Sequence, residues 1–281
     1  MFKHKALKVK ADDATLPASR IELFKTILKD DFYLLAELSV FCFLFSLPLA
    51  LGFVAEIVLI GGMGMADASK VFSLCFYAGL VEIPLFGIRY VGRYAAFGVM
   101  KKRVHNESGY VKSTFFDVMK KGGGRGFLIG CILGFVVFLW QIASVFVAVV
   151  NQDAVIRGVG LGAAALVFLI VFAASESFLA VDNFYVLPFR GSLKNGFSFA
   201  LAGFPWAVLY FAVSMVIPLV LTFVSVYSLI AVAAVWALWF DGVTVAVVTL
   251  YSHKQFDKYI NSIYYIDYIN KGLSKKEKDN G

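Results

Sequence analysis

The sequence predicts an all-α polytopic membrane bundle of about six transmembrane helices with short amphipathic helices on its cytoplasmic side. Three observations predict it. Hydrophobic residues make up 60 % of the 281-residue chain and charged residues 16 %, far from the near-even mixture of a soluble domain. The apolar residues fall into runs long enough to cross a bilayer. Lys and Arg gather in alternate segments between those runs, as the positive-inside bias requires.

Residues 1–32 form the first, cytoplasmic segment. Its opening 20 residues have no apolar core and no small-residue cleavage site, so they do not read as a signal peptide. Ser19 followed by Glu22 has the spacing of a capping box. Ile21, Phe24, Leu28, Phe32 and Leu35 then recur at helical spacing, which predicts an amphipathic helix on the membrane surface.

The transmembrane domain is expected over residues 33–251. Span one covers about Tyr33–Ile60, with Pro48 as an expected kink. Span two lies within Val71–Arg103, whose apolar run carries Glu82 near its middle. It continues through Arg89 and Arg93 and ends at Lys101, Lys102 and Arg103, five residues read as anchors at the cytoplasmic interface. Span three, about Gly126–Val150, is expected after a short helix capped by Ser113 and broken at Gly122–Gly123–Gly124. Span four follows at about Val159–Val181. Another short helix, capped by Ser192, leads to the tract Phe204–Tyr251. At 1.5 Å per residue that tract would reach roughly 70 Å, more than twice the hydrocarbon thickness. It therefore divides around Ser225–Ser228 into spans five and six. Residues 252–281 form a polar cytoplasmic tail. The order of a serine, a short Phe-bearing segment and an outward span occurs at Ser19, Ser113 and Ser192, as a threefold repeat would give.

The basic residues orient the bundle. Seven Lys and Arg precede span one, nine lie between residues 88 and 126, two between 182 and 203, and six after Tyr251. Segments 61–70 and 151–158 have one each. Six spans place every richer segment inside, with both termini cytoplasmic. The net charge of +7 thereby has a topological cause, and no nucleic-acid partner is expected. The lipid bilayer is the expected partner, its anionic inner leaflet facing the basic segments.

Depth selects the candidate site. Glu82 and Asp241 both fall roughly 16–18 Å from the outer face, and Gln141 lies at a similar level. Together they could form a polar centre between helices. Either a working carboxylate there exchanges protons, or a packing one hydrogen-bonds neighbouring helices. Glu37, Glu56, Glu176 and Asp182 are expected nearer the interfaces, where a carboxylate is cheap. Cys42, Cys75 and Cys131 lie apart in apolar runs, and His4, His105 and His253 are scattered. No metal site, disulfide framework or cofactor is expected. No nucleophile motif or phosphate loop is present, so no enzymatic activity is expected.

The segments FSLPLALGF, IRYVGRYAAFGVMKKR, STFFDVMKKGGGRGF and NFYVLPFRGSLKNGFSFALAGFP resemble the YesL-like family of bacterial integral membrane proteins of unknown function. The resemblance covers about Phe32–Tyr251. It implies a bacterial cell-membrane location and an accessory role beside the subunits of a carbohydrate transporter, with no catalytic residues to carry over. A small ion- or proton-coupled transporter using Glu82 is the alternative that the residues themselves leave open.

Overall fold

The computed structural model describes residues 16–63, 68–150, 154–213, 231–232 and 234–274. The described residues are helical and contain no strand. In chain order the helices are α1 (Arg20–Asp30), α2 (Phe32–Met63), α3 (Ala68–Val104), α4 (Val111–Val150), α5 (Ala154–Phe184), α6 (Phe189–Ala202) and α7 (Phe204–Phe211). A π-helical turn at Trp236–Phe240 then leads into α8 (Asp241–Phe256). After α8 the described residues form a second π turn at Asp257–Asn261 and a 3₁₀ turn at Ile266–Tyr268.

Four of these helices, α2 to α5, are long and apolar enough to cross a membrane. Their surfaces are inverted relative to a soluble protein. Leu51, Val54, Ile57 and Val58 of α2 are exposed, whereas Arg93, Glu176 and Asp241 are buried. Apolar groups outside and charged groups inside is the arrangement that a hydrocarbon solvent favours, because a charge facing lipid has nothing to pair with. The chain is a membrane protein. The fifth and sixth spans expected within Phe204–Tyr251 have their dividing point, Ser225–Ser228, outside the described residues.

The antiparallel pair α3–α4 is the most extensive helix contact, with α5–α6 and α2–α3 next. Glycine explains the first. A Cβ on Gly130 would lie 2.5 Å from the Phe86 carbonyl oxygen and 2.9 Å from the Gly87 Cα, so the two backbones touch there. Small residues at a helix crossing are the membrane counterpart of a packed core.

Local expectations are revised by this packing. The glycine triplet at 122–124 does not break α4. Gly122 receives the Tyr94 side chain, whose hydroxyl would sit 2.2 Å from an added Cβ, so tertiary contact overrides low helix propensity. Ser113 consequently caps no separate helix, and its hydroxyl donates to the Tyr110 carbonyl at 3.2 Å. Ser192 is no cap either. Pro188 occupies the N-cap of α6, and buried Ser192 faces α5. Only Ser19 caps as expected, accepting from the Glu22 amide at 3.2 Å. On α1 the buried residues are Leu23 and Ile27, while Ile21 is exposed. Both α2 and α3 run unbroken through Pro48 and Pro84.

Candidate functional site

Two polar centres lie within the bundle. The deeper in charge is built on Arg93, midway along the face of α3 that meets α5. Its guanidinium grips Glu176 as a fork: Nε donates to Oε1 at 3.0 Å and Nη2 to Oε2 at 2.6 Å. Nη1 turns the other way and donates to Asp241 Oδ1 at 2.9 Å. Tyr90 hydroxyl donates to Glu176 Oε1 at 3.1 Å, and Arg93 Nη2 also reaches the Tyr210 hydroxyl at 3.3 Å. Arg93, Glu176 and Asp241 are all at most 4 % exposed. A planar guanidinium satisfies two carboxylates at once, and a carboxylate held bidentately has a fixed orientation.

The local structure around Asp241 explains its position. The π turn at Trp236–Phe240 inserts an extra residue per turn just before it, and π turns re-aim the side chains that follow. Gly242 then packs so closely on α2 that an added Cβ would meet the Leu35 carbonyl oxygen at 2.3 Å. Its amide donates to Ser39 Oγ at 2.7 Å. Thus α8 is pinned to α2 one residue beyond the carboxylate that binds α3.

The same seam continues toward the basic end of α3. Tyr94 hydroxyl donates to Asp182 Oδ2 at 2.8 Å, and Asp182 Oδ1 accepts from Arg125 Nη1 at 2.8 Å and Ser192 Oγ at 2.6 Å. Lys101 Nζ donates to the Asn183 carbonyl at 2.7 Å. Arg103 Nε donates to Asp31 Oδ2 at 2.6 Å, tying α3 to the junction of α1 and α2. These bonds link α3 to α5 and to the α1–α2 junction, and α5 in turn to α4 and α6, through charged or charge-assisted contacts.

The second centre joins α2, α3 and α4. Glu82 Oε2 accepts from Gln141 Nε2 at 2.9 Å. Its other oxygen, Oε1, is buried, and the Glu56 carboxyl of α2 lies within hydrogen-bonding reach of Glu82. Cys75 neighbours the same Glu56. Of the three residues expected at one level, the structure therefore brings together Glu82 and Gln141. Asp241 belongs to the Arg93 centre. Glu82 and Arg93 are 11 residues apart, roughly 16 Å along α3, so the two centres are distinct layers.

The expected interface anchors divide similarly. Arg93 is corrected from interface anchor to the middle of an ion network. It lies eight residues before Lys101, roughly 12 Å deeper along the helix, and that depth was a readable signal. Arg103 is buried against Asp31, and Lys102 Nζ approaches Thr114 Oγ1 at 3.5 Å. Arg89 is half-buried with Nε unbonded. Glu176, Asp182 and Glu56, expected near the interfaces, are all buried. Glu176 was missed because nothing local distinguishes it from an acid at a helix end; only its approach to Arg93 does.

An apolar cavity of about 360 Å³ opens beside the Arg93 network between α5, α6, α7 and α8. Phe172, Glu176, Trp206, Tyr210, Thr244 and Val247 are among its lining residues. Such walls accommodate hydrocarbon and give an ion or sugar few groups to replace its hydration. Among the described residues, no three His, Cys, Asp or Glu side chains are grouped to hold a metal ion. Comparison with protein-family models, with curated proteins and with solved structures finds no match, so the site stands on its own geometry.

Proposed function

We propose that this chain is a YesL-like, multi-pass bacterial cell-membrane protein, with about six spans and both termini cytoplasmic. In this reading it acts as a non-enzymatic accessory or regulatory component of carbohydrate uptake. The observation that carries the reading is the closed Arg93–Glu176–Asp241 network. Its charges are turned on one another and brace α3, α5 and α8, and the cavity beside them is apolar. A bundle braced in this way presents a fixed surface to a partner subunit. The Lys and Arg distribution supports the orientation, and the segments FSLPLALGF and NFYVLPFRGSLKNGFSFALAGFP support the link to carbohydrate uptake. Affinity purification of the full chain from its native membranes should recover transporter subunits in fixed proportion. Recovery as a lone stable monomer would overturn the accessory reading.

One observation favours a second reading, a small ion- or proton-coupled transporter. Glu82 is buried, with a second carboxyl, Glu56, within hydrogen-bonding reach of it. Two carboxyls in one dry site cannot both ionise cheaply, which is how such a pair comes to hold and exchange a proton. Under that reading Glu82→Gln abolishes flux into proteoliposomes while the bundle still assembles.

A further inference from the structure

His105 and His253 meet at the basic end of α3, beneath the C-terminal segment, in a place that neither reading of the membrane interior uses. Their rings are 5.8 Å apart between centroids and are 5 % and 0 % exposed. Phe184 packs against both, at 5.0 Å and 6.0 Å, and Tyr268 covers His105 at 5.9 Å. Both ring nitrogens of His253 and Nδ1 of His105 lack hydrogen bonds. An imidazole in such surroundings stays neutral, because its charged form would lose more in hydration than the nearby carboxylates return.

The cover is the segment Tyr265–Ser274. Gly272, at φ +85°, lies so close to α3 that an added Cβ would meet the Val104 carbonyl oxygen at 1.9 Å. Leu273 is buried in the core. The Ser274 amide donates to the Pro17 carbonyl at 3.0 Å, and Lys271 Nζ pairs with Glu107 at 3.0 Å. Arg20 of α1 bonds Asp257 and reaches Asn270 Oδ1 at 3.2 Å. This strap thus ties Pro17 and α1 to the end of α3 and covers His105.

We propose that His105 and His253 form an acid-sensitive latch that releases the Tyr265–Ser274 strap from the end of α3. The charges facing the pair come from several elements. Lys101 of α3, Glu107 of the following turn, Lys271 of the strap and His253 itself face His105. Asp257, from the turn after α8, and Arg20 of α1 face His253. Glu107 Oε1 stands 3.6 Å from His105 Nδ1 but is already paired with Lys271. Burial lowers His105 to about 3, with Lys271, His253 and Lys101 acting in the same direction. Burial likewise lowers His253 to about 4, partly offset by Asp257.

The sign follows from the open state, in which an exposed imidazole returns to its ordinary value near 6.5. The strap is fully held above about pH 6.5 and loses stability as pH falls through the window toward 4 and 3. Between pH 8 and pH 5.5 each exposed imidazole favours opening by roughly tenfold, so the pair gives roughly 100-fold.

Hydrogen–deuterium exchange of the 265–274 peptide, in the full chain in detergent micelles and corrected for intrinsic exchange at each pH, reads this directly. Opening should rise between tenfold and 100-fold from pH 8 to pH 5.5. His105→Phe or His253→Phe, each keeping a ring in the aromatic cluster, should reduce the rise, and the double substitution should abolish it. Gly272→Ala should leave the strap open at both pH values. Unchanged wild-type protection across this range overturns the latch, as does an unaltered pH response in the double variant. Should the Phe variants not fold, imidazole NMR titration of the wild type decides instead. Protonation above pH 6 with the strap still protected also overturns it.

Discussion

Arg93 shows what a single side chain settles in a hydrocarbon-solvated bundle. Its fork holds Glu176 bidentately while the remaining nitrogen reaches Asp241, so removing one acid leaves a buried cation without its main partner. Breaking a buried pair from one side costs about 3–5 kcal/mol. Glu176→Ala should therefore lower the unfolding free energy in detergent by that order, and a loss below about 1 kcal/mol would mean that Arg93 finds another partner. Glu82→Gln is the instructive contrast. The amide oxygen still accepts from Gln141, so stability should change by less than about 1 kcal/mol. Any loss of flux on that background then belongs to the proton and not to the fold.

At the scale of elements, the α3–α4 pair turns glycine from a weakness into a contact surface. Gly130 lies against the α3 backbone, whereas Gly124, on the same helix, has nothing within 4 Å of an added Cβ. The same substitution should therefore have opposite signs. Gly130→Ala must push Phe86 and Gly87 away, a loss of about 1–3 kcal/mol by overpacking. Gly124→Ala fills open space and should add about 0.5–1 kcal/mol by helix propensity alone. Paired thermal melts of the two variants measure this, and equal effects would show that the crossing relaxes freely. Helix α4 illustrates the limit of local reading. Its glycine triplet has the composition of a break, but Tyr94 of the paired helix α3 fills the space that the missing side chain leaves at Gly122.

For the molecule as a whole, the inversion of polarity matters more than any one span. Exposed Leu51 and Ile57 and buried Arg93 and Asp241 suit a bilayer and would be unstable the other way round. Topology is testable by single-cysteine labelling with an impermeant reagent, in a background lacking Cys42, Cys75 and Cys131. Lys70→Cys should react from outside intact cells. Ser108→Cys and Ser274→Cys should react only after the cells are opened. Labelling of Lys70→Cys and Ser108→Cys from one side would mean that α3 does not cross.

The membrane class, the long apolar helix α3 and the shared level of Glu82 and Gln141, which meet at 2.9 Å, were legible in the sequence. Run length, apolar content and the placement of Lys and Arg are local quantities, and rise per residue converts position into depth. Partner choice is a different kind of information. Asp241 sits at one level with Glu82 only if the last helix starts where its apolar run is assumed to start. The π turn before it and the tight seating of Gly242 on Leu35 set its actual register, which delivers it to Arg93. Glu176 and Arg93 are 83 residues apart, and His105 and His253 are 148 apart. No pattern along the chain reports which helix faces meet across such separations. Tertiary structure decided those pairs, because close packing of whole helices admits one register and brings only certain polar groups within hydrogen-bond reach.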